Sequence, residues 1–383
     1  MKSRFSLTEV IMQQEAGRAG ALLTIDLKAL RANYRFLQSR LGAAQCGAAV
    51  KADAYGLGAI PVSKALVAEG CRHLFVAQLE EAISLRAHIA RDVAIYVMHG
   101  SPVGYEAEFI EYGCTPVLNS LEQITAWRNL AKERMINLPA IIQIDTGMAR
   151  MGLSQAELWT WLNDFSITEG IDLRYVMSHL ACAEDQLDPM NQMQLSAFKN
   201  LLAQLRQQYP DVKASFSNSS GIFLGSEFHF DLARPGAALY GVAPVAGQES
   251  PMESVVQLQG RIIQTREIPM GASVGYSKTW RATQPSRIAT VSVGYADGWL
   301  RSLSNCGVAH IAGIEVPMVG NVSMDTITLN VSHVDPQLLY PGALVDLICP
   351  DNTVDQVAKQ AGTIGYEILT SLGPRYQRHY VDV

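Results

Sequence analysis

Cysteine is scarce and scattered in this chain of 383 residues: Cys46, Cys71, Cys114, Cys182, Cys306 and Cys349 include no Cys-x-x-Cys pair. That excludes a disulfide-stapled secreted domain and a cysteine zinc site, and leaves ordinary reduced thiols. No run reaches the roughly 18 uncharged apolar residues of a spanning helix, so no membrane span is expected. The start, Met1 to Arg4, carries two basic residues like a leader, but Glu9, Gln13, Gln14 and Glu15 break the apolar stretch that should follow. A cytoplasmic location is the expectation. Basic excess is missing too: Lys+Arg 30 against Asp+Glu 36 gives a net charge of −6, which argues against nucleic acid as a partner. Internal repeats, charge blocks and tether-like linkers are also lacking.

What is present is a globular composition, 48% hydrophobic and 17% charged, with length for two domains or for a barrel plus an appended domain. Apolar runs at Leu22–Asp26, Cys46–Ala52, Leu74–Ala77, Ala94–Met98, Thr115–Leu118, Ala140–Asp145, Tyr175–His179, Ala214–Asn218 and Phe230–Arg234 read as strands. Helical patterns lie between them; in one, Leu27, Leu30, Tyr34 and Leu37 recur at helical spacing. Near-continuous apolar strands alternating with helices predict a parallel sheet, and about eight units predict a closed barrel, with a doubly wound sheet as the runner-up. After Gly241 the pattern changes. Pro244, Gly247, Pro251 and Pro269 punctuate short β-rich segments such as Arg287–Val293 and Val316–Asn321, and Val354 to Leu372 holds room for one helix. The expected fold is an N-terminal (β/α)8 TIM-like barrel, residues 1–246, followed by a C-terminal β-rich domain, residues 247–383.

Lys51 leaves the C-terminal end of an apolar strand, where barrels carry their chemistry. A desolvated lysine is a useful nucleophile or base, although a lysine snorkelling from the barrel rim is the commoner case.

Its neighbours carry a resemblance. Ala49-Val50-Lys51-Ala52-Asp53-Ala54-Tyr55-Gly56 resembles the pyridoxal-phosphate lysine motif of the alanine racemase family. Further blocks follow in the family's order: Asp145-Thr146-Gly147-Met148-Ala149-Arg150-Met151-Gly152, Ser178-His179, Asn218-Ser219, Arg234-Pro235-Gly236, Gly275-Tyr276-Ser277, Val293-Gly294-Tyr295-Ala296-Asp297-Gly298, Val322-Ser323-Met324-Asp325 and Ile364-Gly365-Tyr366-Glu367. The similarity runs from about Leu23 to the C-terminus. It implies a homodimer that racemises L- and D-alanine, with Lys51 holding pyridoxal 5'-phosphate as a Schiff base and serving as the base on the D-face. Tyr276 matches the base on the L-face. A phenol titrates near pH 10, so such a base needs nearby positive charge or hydrogen bonds.

The resemblance assigns the other positions by match. Arg234 faces the pyridine nitrogen, and a donor-only guanidinium keeps that nitrogen unprotonated; the alternative for Arg234 is a rim ion pair with Asp231. His179 stacks on the ring, where an isolated histidine would read as a core residue. Tyr55, Asn218, Ser219, Gly236, Ala237 and Tyr366 hold the phosphate. Arg150 serves cofactor and substrate, Met324 and Asp325 the substrate carboxylate, and Tyr295 the entrance. Tyr276, Tyr295 and Met324 come from the partner copy, so active sites are shared. No metal is implied. His99 and His229 match no role and read as structural.

Three positions depart from the pattern. Gln143 stands where many members carry a carbamylated lysine, so a chloride or the Gln143 amide is expected beside Arg150, since a cation lacking its counter-ion is unfavourable. Asn321 replaces an arginine, and Leu57 a histidine. These changes keep open a broad-specificity racemase acting on serine, lysine or arginine. A decarboxylase of the same fold and a cofactor-binding barrel protein are the rival classes; Arg234 and the Gly275-Tyr276-Ser277 block oppose the first, and the residues from Gly247 to Val383, which hold the second base and the carboxylate contact, oppose the second. The family's part in D-alanine biosynthesis is one expectation; a catabolic role is left open.

Overall fold

A computed structural model describes residues 17–382. The basic start and Glu9 to Glu15, on which the leader expectation rests, lie outside the described residues. The described residues form two compact units, one of Leu30–Glu253 and one joining residues 17–29 with residues 254–382.

The opening strand, β1 (Ala21–Asp26), corrects the sequence expectation. It pairs antiparallel with a long strand near Val256 and parallel with the last strand of the chain, and is no part of the barrel. Its burial alternates, with Ala21, Leu23 and Ile25 inside, as suits a strand with one covered face. The helix Leu27–Arg40 follows at once, its start capped by Asp26 Oδ1 accepting from the Ala29 amide at 2.9 Å. Leu30, Tyr34 and Leu37 are buried as their spacing predicts.

The barrel runs through β2 (Gln45–Cys46), β3 (Ala48–Ala49), β4 (His73–Val76), β5 (Ala94–Val97), β6 (Thr115–Leu118), β7 (Leu138–Gln143), β8 (Ile171–Met177), β9 (Lys213–Ser215) and β10 (Leu232–Ala233). β2 and β3 are two halves of one strand interrupted at Gly47. β2 pairs with β10 and β3 with β4, all in parallel, so the sheet closes through that strand and the barrel has eight. Leu74, Phe75 and Val76, like Ile95, Tyr96 and Val97, are buried in succession because helices cover the sheet outside and packed side chains fill it. The expected strand Cys46–Ala52 is shorter than its apolar run: it ends at Ala49, before a left-handed turn.

The other unit centres on β11 (Val256–Ile268), 13 residues long, which pairs antiparallel with β1 and with the strands Ser286–Val291 and Leu344–Ile348. The expected single helix near Val354 is two, Val354–Ala361 and Gly365–Ser371, with Gly362 in a left-handed cap (φ 71°) ending the first. No described helix is long and apolar enough to cross a membrane.

Candidate active site

Two residues past β3, Lys51 opens a turn in which Ala52, Asp53, Ala54 and Tyr55 take φ of 52°, 53°, 53° and 58°. Left-handed backbone costs non-glycine residues roughly 1–2 kcal/mol each, so this turn must be held from outside. The Glu81 carboxylate accepts the Ala52 amide at 2.5 Å and the Ala77 amide at 2.7 Å; Asp53 Oδ1 accepts the Ala59 amide at 2.7 Å. Burial first, then the Arg150 charge, lowers the Lys51 amine below its ordinary value, with Glu81 opposing. The lysine is half-buried, and not a solvated rim residue.

Arg234, just past β10, is buried at the same end of the barrel. It is not paired with Asp231, which instead accepts the Ala214 amide. Arg234 Nη1 donates to Ser215 Oγ at 2.6 Å, Nη2 donates to the Ser178 carbonyl at 2.7 Å, and Nη2 stands 3.4 Å from His179 Nδ1. Burial lowers the guanidinium to about 10, which leaves it charged near neutrality. Burial and the charges of Arg234, Arg150 and Lys51 push His179 down to about 3, so its imidazole is neutral at working pH.

A polar cradle adjoins them. Ser219 Oγ accepts the amides of Gly236 (2.9 Å) and Ala238 (3.2 Å), which leaves its own hydrogen free to donate. A Cβ on Gly236 would lie 2.2 Å from the Tyr55 hydroxyl, so only glycine permits this approach. Tyr55 packs on Tyr240 with ring centroids 4.7 Å apart, and Tyr240 donates to the Ala49 carbonyl. Asn218 Oδ1 caps the next turn by accepting the Gly221 amide.

After β7, the Asp145 carboxylate accepts the amides of Gly147, Met148 and Ala149, shaping the loop that carries Arg150. Gln143 is buried at the end of β7. Lys51, Tyr55, Arg150, His179, Asn218, Ser219, Arg234, Gly236 and Ala237 thus all belong to the C-terminal strand ends of one barrel. A cavity of about 980 Å³ opens at the opposite, N-terminal mouth beside His73, Tyr96 and Lys213, and no candidate residue lines it. His229, buried, meets the Ile222 carbonyl at 3.0 Å as a structural residue.

The remaining candidates belong to the other unit. Tyr276 follows Gly275 at the head of a short 3-10 turn, 68% exposed, and not on a strand. Asn321 Nδ2 donates to the Tyr276 carbonyl at 3.0 Å, so the residue in the arginine position holds this turn. The Tyr295 and Ala296 amides donate to the Ser323 and Met324 carbonyls, zipping two candidate loops together. Arg375, missed in the sequence, clamps both loops by donating to Asp297 and Asp325. Glu81 was missed as well; its only local signal is a place three residues after Gln78, as in a helix capping box. Tyr366 lies in the helix Gly365–Ser371.

The fold and this cluster define a class, the barrel-type pyridoxal-phosphate enzymes with a β-rich second unit. The family models for the alanine racemase N-terminal and C-terminal domains match residues 25–244 and 255–380. The chain belongs to the alanine racemase family. It is 50% identical to the catabolic alanine racemase of Mesorhizobium japonicum, over 95% of this chain and 94% of that protein. It is 46% identical to the alanine racemase of Rhodospirillum rubrum, over 96% and 97%. Among solved structures, the alanine racemase of Bartonella henselae with covalently bound pyridoxal phosphate is similar at TM-score 0.91 and 44% identity, covering 95% of this chain and all of that one (100%).

Proposed function

We propose that the chain interconverts L-alanine and D-alanine with bound pyridoxal phosphate, Lys51 and Tyr276 acting as the two bases. The observation that carries this reading is a half-buried lysine of lowered proton affinity among Arg150, His179 and Arg234, in a chain related to alanine racemases over nearly its whole length.

The residues present fit the cofactor. Lys51 offers an amine for its carbonyl, and Arg234 offers only donors, suiting an unprotonated pyridine nitrogen. Ser219, Tyr55 and the bare backbone at Gly236 suit a phosphate that is held and not transferred. Pyridoxal phosphate, when bound, supplies the electron sink that makes an α-proton removable, and a weak sink opposite Arg234 favours return of that proton to Cα. Lys51 Nζ takes or returns the α-proton on one face. Tyr276 Oη does so on the other, because a base confined to one face restores only the enantiomer it started from. Neutral His179 would lie against the ring without adding a third positive charge to those of Arg150 and Arg234.

Tyr276, Tyr295 and Met324 stand 68%, 43% and 54% exposed, which supports a homodimer in which residues 247–383 of one copy complete the other's site. The Met324 amide then serves the substrate carboxylate, with Asp325 held beside it by Arg375, while Tyr295 serves the entrance and Tyr366 the phosphate. Gln143 is buried at the end of β7, where it cannot supply the negative charge of a carbamylated lysine, which supports a chloride or the Gln143 amide itself beside Arg150. Six free cysteines support a reducing compartment such as the cytoplasm. Enantiomers have equal free energy in water, so no residue sets the direction; D-alanine biosynthesis and alanine breakdown are one reaction approached from two sides.

The test is loss of the Cα proton in heavy water, with pyridoxal phosphate and a panel of L-amino acids. Alanine should exchange about tenfold faster than serine, lysine or arginine, in line with small-pocket discrimination. Equal rates across the panel would replace alanine specificity with broad amino-acid racemisation.

A further inference from the structure

We propose that Glu81 is a positioning residue for Lys51, its carboxylate tying the left-handed turn after Lys51 to the end of the neighbouring barrel strand. The inference rests on the reading of Lys51 given above. Glu81 Oε1 accepts the amide of Ala52, next to Lys51, at 2.5 Å, while Oε2 accepts those of Ala77 at 2.7 Å and Gln78 at 3.0 Å. Ala77 and Gln78 directly follow β4, which pairs with β3 through Ala48 to Leu74 and Ala49 to Phe75. One carboxylate therefore bridges the exits of two adjacent strands where the first enters its strained turn. Helix capping accounts for the bond to Gln78; it does not account for the one to Ala52, 29 residues away.

The charge matters along with the shape. A carboxylate accepts from several amides at once through strong, charge-assisted bonds, whereas a glutamine of the same length turns an NH2 group toward one of those donors. Lys51 is faced by Arg150 from the loop after β7, by His179 after β8, which is neutral, and by Glu81 from the helix Leu79–Arg86. Without the Glu81 charge, Lys51 faces a cation and no anion, so it loses its proton at lower pH.

The experiment compares Glu81→Gln, Glu81→Ala and Lys51→Ala in the full chain loaded with pyridoxal phosphate. It measures kcat and KM for alanine, the fraction of chain left covalently labelled with cofactor after borohydride reduction, and the pH midpoint of that labelling. Glu81→Gln should lower kcat about thirtyfold or more with KM within about threefold, as expected for a misplaced reacting group. It should also move the labelling midpoint down by about half a pH unit or more. A kcat within threefold of the parent overturns the inference; so does lost activity with an unmoved midpoint, which marks a merely structural role. If Glu81→Ala fails to fold, the glutamine variant decides. Labelling that survives Lys51→Ala overturns the reading of Lys51 and the inference with it. Labelling abolished by Lys51→Ala but unaltered in amount and midpoint at Glu81 overturns the inference alone.

Discussion

Arg375 grips Asp297 with two nitrogens, Nε to Oδ1 at 2.6 Å and Nη2 to Oδ2 at 2.8 Å. Its third nitrogen, Nη1, reaches Asp325 at 2.8 Å. Asp297 is buried and also accepts the Gly294 amide, so the guanidinium locks the loops carrying Tyr295 and Met324 from behind. Lysine cannot make that planar fork. Arg375→Lys should therefore raise KM for alanine about tenfold or more with a smaller change in kcat. Steady-state kinetics checks this, and an unchanged KM would remove Arg375 from the entrance.

At Gly236 the constraint is steric. A methyl group there would meet the Tyr55 hydroxyl at 2.2 Å and the Ala49 side chain at 3.3 Å. Gly236→Ala should weaken pyridoxal phosphate about tenfold or more by displacing Tyr55, since an overpacked site shifts its neighbours. A Gly236→Ala, Tyr55→Phe double variant should recover part of the loss, because the clashing oxygen is gone. Fluorescence titration with the cofactor reads both.

Tyr276 is exposed on its own unit and is bonded to Asn321 through its carbonyl, so Tyr276→Phe should leave the fold unchanged. Racemisation should fall about a hundredfold or more, within the range for losing a general base. The loss should be one-sided in heavy water: proton exchange from L-alanine falls with it, while exchange from D-alanine through Lys51 persists. Equal losses for both enantiomers would contradict the assignment of faces.

Acid should destabilise the barrel through two histidines. Burial and Lys213 push His73 down to about 4, and His179 sits at about 3. Their unfolded values are near 6.5, so between about pH 6.5 and those values the unfolded chain binds protons that the native chain does not. Stability from these groups is complete above pH 6.5 and falls as pH drops through that window. Denaturant melts at pH 7 and pH 5 should differ by roughly 1–3 kcal/mol, and His73→Phe should flatten the slope while leaving the cofactor site intact.

Arg234→Lys should free His179. A single ammonium cannot span Ser215 Oγ, the Ser178 carbonyl and the edge of His179 together. As the guanidinium moves away, the His179 value should rise from about 3, although burial remains the larger cause. Nitrogen-15 NMR of the imidazole against pH measures the change.

Much of this was legible from residue order, because the signals are local. A run such as Leu74 to Val76 between helical patterns announces a covered parallel strand, and eight such runs announce a barrel. Lys51, Arg234 and His179 were marked by their neighbours in the chain, each block being a turn or strand end whose shape depends on adjacent residues. The boundary of the first barrel strand was less legible. Apolar pattern continues to Ala52, but the backbone turns left-handed there under bonds from Glu81, 29 positions on.

Whatever depends on distant pairing had to come from the folded chain. β1 looks like the first strand of the alternating series, yet its partners are β11 and the strand Gln377–Val381, more than 230 residues later in the chain. Arg375 carries no motif, and its meaning appears only when Asp297 and Asp325 are brought to it. Scarce cysteine, the lack of a basic excess and the absent apolar spans narrowed the class from composition alone. Which charges meet, and therefore which amine holds its proton less tightly and which imidazole stays neutral, is a property of distances of a few ångströms that chain order does not encode.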